Sequence, residues 1–353
     1  MHFFEPRSAL EHARSAVRWR LGYSIDILES AASEIVDPGH VVTGLPCIAL
    51  PDQFERVKAC AFGLDLKTEV AQLEGAARHI GPTKRYLLKD VVVRDGIVYG
   101  QGKRKAFNSD LDLNSHDRSW QEYSEVALRS SLVGCHFFGH WLRDDCATHL
   151  LAKEAAQTIS MPTPAWPDCE GYAKHFTQEY TTVRRAHIDR LHLFDDIHQN
   201  RSKAQRFAQL RKTSSKEVAP SRRKIVYMMR GAQGKQRALL NEPEVVEALS
   251  ARGILVLKAE TLAIDELIRQ LSGATVVISV EGSQLSHALF SLRDKGGVLA
   301  IQPPDRFFNS HFDWARALEI QYGVVIGIAQ ESGFYVPIDE ILRTLDLLLA
   351  KIP

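Results

Sequence analysis

Two groups of residues in this chain have the types and spacing for group-transfer chemistry. The first is His140 and Asp144, four apart at the start of a helix pattern and so on one helix face. A carboxylate beside an imidazole fixes its tautomer and raises its basicity, which makes a general base for a hydroxyl proton. Asp145 is the neighbouring carboxylate and the fallback base. A helix-start histidine with a local salt link is the plainer alternative. Zinc is another reading, since Cys135, His136, Cys146 and His149 crowd around His140. Their spacings match no standard zinc site, and no metal is expected.

The second group lies where apolar runs end. KIVYMMR delivers Arg230 at its end, and the loop after it carries Lys235 and Arg237, a cationic rim whose guanidinium groups suit phosphate oxygens. Asn241 is a good N-cap for the next helix, and Glu242 one residue on favours that helix's dipole or meets a ligand. The run TVVISV leads into Glu281-Gly282-Ser283-Gln284. Gly282 permits close backbone approach, and a helix start offers unpaired N–H groups to an anion. The spacing is neither GxxxxGK[ST] nor GxGxxG. Opposite Arg230 this turn predicts a diphosphate cradle, with Glu281 better suited to a ribose or sugar hydroxyl, and with His287 as packed structure.

Positioning these residues falls to residues 224–303, where strand and helix patterns alternate: KIVYMMR, a helix from Asn241 to Arg252, ILVLKAE, a helix over Ile264–Leu271, TVVISV, a turn and helix, then GGVLAIQPPDR. That alternation predicts a parallel sheet with helices on its faces and ligands at the carboxyl ends of its strands. Earlier in the chain, residues 5–34 read mostly as helix, with the pattern continuing to Ile35. Tyr86–Phe107 reads as a hairpin turning at Arg94-Asp95-Gly96. Residues 199–223 are basic and polar, and read as a helix followed by an exposed linker. PIDEILRTLDLLLAKI is an amphipathic terminal helix.

A length of 353 residues makes two domains the default and suffices to bury roughly three quarters of the unfolded surface. The boundary is placed near Val218, giving 1–217 and 218–353. With 44 basic against 43 acidic residues, the net charge of +1 gives no support for nucleic-acid binding. Five scattered cysteines without a CxxC pair favour a reduced, cytoplasmic compartment. The charged N-terminus is no signal peptide, and no apolar run approaches the roughly 20 residues that span a bilayer. Peripheral attachment at the inner face of the membrane stays open, since the basic stretch before residue 223 suits an anionic lipid surface as well as a linker.

The motifs together resemble glycosyltransferase family 61, in its bacterial form. Its GHW-type motif is Gly139-His140-Trp141, its strand-Arg…Arg-x-x-x-Asn-Glu segment is Arg230…Arg237-Ala-Leu-Leu-Asn241-Glu242, and its turn-helix is Gly282-Ser283-Gln284-Leu285…Phe290. Two departures are Glu281, where the family often has histidine, and His287, where it often has asparagine. The resemblance implies a GT-B-like α/β fold, two Rossmann-like domains with a cleft between them and the last helix crossing back onto the first. It implies an inverting transfer from a nucleotide sugar to a hydroxyl of a surface glycan or its lipid-linked precursor. The C-terminal domain would hold the nucleotide sugar, a co-substrate and not a cofactor, and the N-terminal domain would bind the acceptor and supply the base. A non-catalytic relative that binds nucleotide or glycan, and a sugar-nucleotide epimerase of GT-B-like fold, are the alternatives.

Overall fold

Residues 40–80 do not stay with the segment that precedes them. In the computed structural model, which describes residues 6–108, 119–214, 223–230 and 238–353, the chain divides into two units. One takes Met1–Gly39 and Gly81–Lys203, the other His40–Ile80 and Ala204–Pro353. The expected division at 217/218 crosses once; these units cross three times. The reason is long-range pairing. Ile48 bridges in parallel to Gly323, and Arg56 grips the Glu340 carboxylate with both terminal nitrogens at 2.7 Å. The segment 215–222, expected as linker, lies outside the described residues.

The first unit is built on a mixed sheet of β1 (Ala32–Asp37), β2 (Thr83–Arg94), β3 (Ile97–Gly100), β4 (Lys103–Ala106), β5 (Gln121–Leu128), β6 (Gln157–Ser160), β7 (Thr181–Thr182) and β8 (Arg185–Asp195). The order is β4-β3-β2-β8-β5-β6-β7, with β1 on β2. Central β8 runs antiparallel to β2, where Leu191 faces Leu88, and parallel to β5, where it faces Val126. These β-branched and leucine-rich strands bury Val91, Val93, Val126, Ile159, Ile188 and Leu193 in one core. The expected hairpin forms, turning at Asp95-Gly96, whose φ values are both positive. The long N-terminal helix does not continue as expected. Helix α1 (Pro6–Arg20) stops before Gly22, and Ala32–Asp37 is a strand because it pairs with β2. Helix α2 spans 138–155 and includes a five-residue π turn, Trp141–Asp145.

Helix α3 (Arg201–Ser214) leads to the second unit. Here β9 (Ile225–Met229), β10 (Leu255–Lys258), β11 (Val276–Val280), β12 (Gly297–Gln302) and β13 (Gln321–Ile326) form an all-parallel sheet in the order β10-β9-β11-β12-β13. Every residue of β11 is buried, as expected of a strand covered on both faces. The connecting helices are α4 (Glu242–Ala251), α5 (Ile264–Leu271), the short α6 (Ser286–Ser291), α7 (Ser310–Ala317) and the terminal α8 (Ile338–Leu349). Helix α8 buries Ile341, Thr344, Leu345 and Leu348, a helical stripe laid on β12 and β13. Its Glu340 also holds Arg56 and Gln53, which precede residue 80 in sequence but belong to this same unit. Among the described residues, no helix is long and apolar enough to cross a membrane.

The order of the parallel sheet matters for function. Counted along the chain it reads 2-1-3-4-5, so the direction of winding reverses between β9 and β11. Ligands of open α/β sheets bind outside the carboxyl ends at that reversal. Arg230 follows β9 and Glu281-Gly282 follows β11, one on each side of it.

Candidate active site

In the first unit the π turn gathers charge around one imidazole. Such turns insert an extra residue into a helix and recur at functional sites. His140 Nδ1 lies 2.7 Å from Asp144 Oδ2, so the expected pair is in contact. In the tautomer that donates Nδ1–H to this carboxylate, the lone pair is on Nε2. The ring is 17% exposed while Asp144 is 1% exposed, so the imidazole reaches solvent and its partner does not. Arg143 lies against the same ring, its Nη2 2.8 Å from Nδ1 and 3.3 Å from Nε2, and its Nε donates to Asp144 at 3.2 Å.

Lys203 completes the group. It is fully buried, and its Nζ donates to Asp144 Oδ1 and to the Asp196 carbonyl. Thr148 Oγ1 lies 2.8 Å from Asp196 Oδ2 and 3.0 Å from the Asp144 backbone carbonyl, and Gln199 donates to Asp144 Oδ1 at 3.3 Å. Burial alone would raise the Asp144 pKa, but Lys203, Arg143 and His140 outweigh it and hold the carboxyl well below its usual range. The same cations explain a departure from expectation. Asp144 was expected to make His140 more basic; instead burial and then Arg143 depress the imidazole to about 4, against the pull of Asp144. At neutral pH the ring is uncharged and its Nε2 can accept a proton.

Asp145, the fallback base, points the other way. It is wholly buried, and its Oδ1 accepts from the Ser131 amide (3.0 Å) and hydroxyl (2.7 Å). Burial pushes it up to about 7, and a Cβ on Gly134 would sit 2.2 Å from its Oδ1. These contacts tie it to the turn at Ser131, which caps the helix Leu132–His136. The zinc alternative gains no support either. Cys146 Sγ accepts from Arg129 at 3.2 Å, His149 packs edge-on to Tyr180, and no group of three or more His, Cys, Asp or Glu is set to hold a metal among the described residues.

In the second unit the sequence-predicted donor residues separate into those that face the carboxyl edge and those that support it. Arg230 is half-buried, and its Nη1 lies 3.4 Å from the Glu281 carbonyl. Glu242 supports it from behind, accepting from the Arg230 amide (3.0 Å) and the Tyr227 hydroxyl (2.7 Å). Contrary to expectation, Asn241 at the helix start makes no capping bond with its side chain. It donates to the Val336 carbonyl at 2.9 Å and accepts from the Val336 amide at 3.1 Å, tying the helix start to a distant loop. Gln284 also faces inward, donating to Ser279 Oγ (2.8 Å) and the Met229 carbonyl (3.2 Å), which ties β9 to β11.

Gly282 adopts φ 157° and ψ 177°, a region almost confined to glycine, and Ser283 after it is exposed. The helix that follows is short, a 3₁₀ turn (Ser283–Leu285) and then α6, so its dipole is weaker than expected. Glu281 is 1% exposed, and its carboxylate meets His311 Nδ1 at 2.7 Å, with Ser286 Oγ 3.1 Å from the other ring nitrogen. This buried chain turns Glu281 away from the sugar-hydroxyl role expected of it. His287 is packed structure, as expected, with burial pushing its imidazole down to about 4. Lys235 and Arg237 lie outside the described residues.

One cation escaped the sequence reading. Arg306, in the loop after β12, is near enough to Arg230 to lower its pKa, adding to the larger effect of burial and opposed by Glu281 and Glu242. Its guanidinium lies over the Phe62 ring at 5.2 Å, and its Nε is buried without a partner. Phe62 comes from the segment 40–80, so nothing local in the sequence marks this cation. Arg306 follows β12 and Arg230 follows β9, so both add positive charge at the sheet's carboxyl edge.

A family model, Glycosyltransferase 61, matches residues 138–299, a stretch that begins at the helix carrying His140 and ends on β12. No curated protein matches the chain.

Proposed function

We propose that this chain, which carries a glycosyltransferase 61 region over residues 138–299, is an inverting transferase of the GT-B type that works without a metal ion. Glycosyl transfer is the activity of that family. The donor is a nucleotide sugar, held on the parallel-sheet unit; the acceptor is a hydroxyl of a glycan or lipid-linked glycan, served by the mixed-sheet unit. The observation that carries this reading is the placement of Arg230 and Gly282 on either side of the reversal point of a 2-1-3-4-5 sheet, with Arg306 in the loop after β12 at the same edge.

In this reading Arg230 and Arg306 hold the diphosphate and stabilise the charge that grows as it departs. They supply what a divalent cation supplies in other transferases. Amides at Gly282-Ser283 approach the same oxygens, and Glu242 keeps the Arg230 backbone in place. The acceptor oxygen attacks the anomeric carbon from the side opposite the diphosphate. Its proton passes to His140 Nε2, and the electron pair of the broken C–O bond leaves with the diphosphate. A single displacement inverts the anomeric centre. Asp144, pinned by Lys203 and Arg143, keeps the Nδ1 proton in place and the ring aimed.

The test is turnover of nucleotide sugars of several bases against a panel of glycan acceptors, with the product's anomeric configuration read by proton NMR. An α-linked donor is expected to give a β-linked product. Retention at the anomeric carbon, or an epimerised sugar nucleotide with no transfer, would contradict the reading.

A further inference from the structure

A cavity of about 640 Å³ opens in the mixed-sheet unit, lined by the loop after β6, the helix Asp168–His175 and the segment before β7. Neither the His140 group nor the Arg230 group lines it. We propose that it binds one neutral pyranose unit of a glycan. That this glycan is the acceptor rests on the transfer reading above; the binding itself does not.

The chemistry of the walls selects the ligand. Gln178 is 6% exposed, and its Nε2 donates to the Cys146 carbonyl at 2.8 Å. That bond fixes the amide, because a flip would set two acceptors against each other. Its Oε1 is therefore the remaining acceptor, buried and without a partner. Glu170 and Glu179 add exposed carboxylates, and none of the lining residues is lysine or arginine. Such walls disfavour a phosphate and suit a ligand rich in hydroxyl donors.

Two rings supply the apolar part. Trp166 and Tyr180 both line the cavity and are half-buried. Tyr180 is backed by the buried Arg129 guanidinium, 4.3 Å from its centroid, and Trp166 meets Phe138 edge-on at 6.2 Å. Rings fixed in this way offer flat apolar faces to the C–H face of a pyranose, with polar groups at the margin. The volume falls in the range of small-molecule sites, roughly 300–1,000 Å³. Both anchors run to the helix that bears His140: Phe138 opens α2, and Cys146 belongs to it. A sugar here would be held by the element that carries the proposed base.

The full chain is titrated with methyl β-glucoside, methyl β-galactoside, methyl α-mannoside, methyl β-xyloside and methyl N-acetyl-β-glucosaminide, following saturation transfer from protein to sugar. At least one is expected to bind. Trp166→Ala is expected to weaken it about tenfold or more. Glu170→Gln with Glu179→Gln, at exposed positions that leave the fold intact, is expected to weaken it several-fold. Nucleoside diphosphate affinity should not move in either variant. Three results would overturn the proposal: no pyranoside binds the wild type, choline binds in their place, or a folded Trp166→Ala binds as wild type does. Sugar binding without any transfer would keep this site and remove the transfer reading; transfer without sugar binding would do the reverse.

Discussion

Arg230→Ala is expected to lower kcat about 10²–10³-fold, the usual effect of removing one group that stabilises transition-state charge. Nucleoside diphosphate affinity should fall with it. The fold should not change, because the substitution leaves the backbone bond from the Arg230 amide to Glu242 in place. Arg230→Lys should recover part of the loss, since an ammonium restores the charge without the fork that matches two phosphate oxygens. Steady-state kinetics and the melting temperature of each variant decide this. Wild-type turnover in a folded Arg230→Ala protein would remove the diphosphate role.

His140→Ala is expected to cost about 10²–10⁴-fold in kcat, the range for a positioned general base, with donor KM close to wild type. The pH profile tests the same residue independently. An imidazole acting as base must be neutral, so kcat/KM falls on the acid side as the ring protonates. An ordinary histidine would lose activity near 6.5; His140, lowered by burial and by Arg143, should hold its activity until pH approaches about 4. Stability follows the same sign. Below 6.5 the unfolded chain takes up a proton here that the folded chain refuses until about 4, so His140 destabilises the fold progressively across that window. An acid limb near 6.5 would contradict the lowered His140 pKa, and wild-type kcat in His140→Ala would remove His140 from the mechanism.

The parallel sheet was readable because its signals are local. TVVISV becomes the wholly buried Val276–Val280, KIVYMMR becomes Ile225–Met229, and Ile264–Leu271 is a helix over the residues read as one. Arg230 could be placed at a strand end because its own run stops there. His140 and Asp144 could be paired because helix geometry sets residues four apart on one face. The parts that were missed depend on partners far away in the chain. Lys203 sits in a basic stretch that reads as solvated surface, yet Asp144 and the Asp196 carbonyl bury it. Asn241 looks like a cap until Val336, 95 residues on, takes both ends of its amide. Residues 40–80 carry no composition that separates them from their neighbours, and Arg306 gains its meaning only beside Arg230 and Phe62. Glu281 was given a ligand role because its charge was visible and His311 was not.

The proposed transfer requires a cationic, metal-independent seat for a diphosphate at the carboxyl edge of the parallel sheet. Calorimetric titration of the full chain with ADP, GDP, CDP, UDP and dTDP, in the presence of EDTA, tests it directly. One base is expected to bind at a single site with undiminished affinity under EDTA, and that binding should weaken in Arg230→Ala and in Arg306→Ala. Binding of none of the five, or binding that EDTA abolishes and a divalent cation restores, would contradict it.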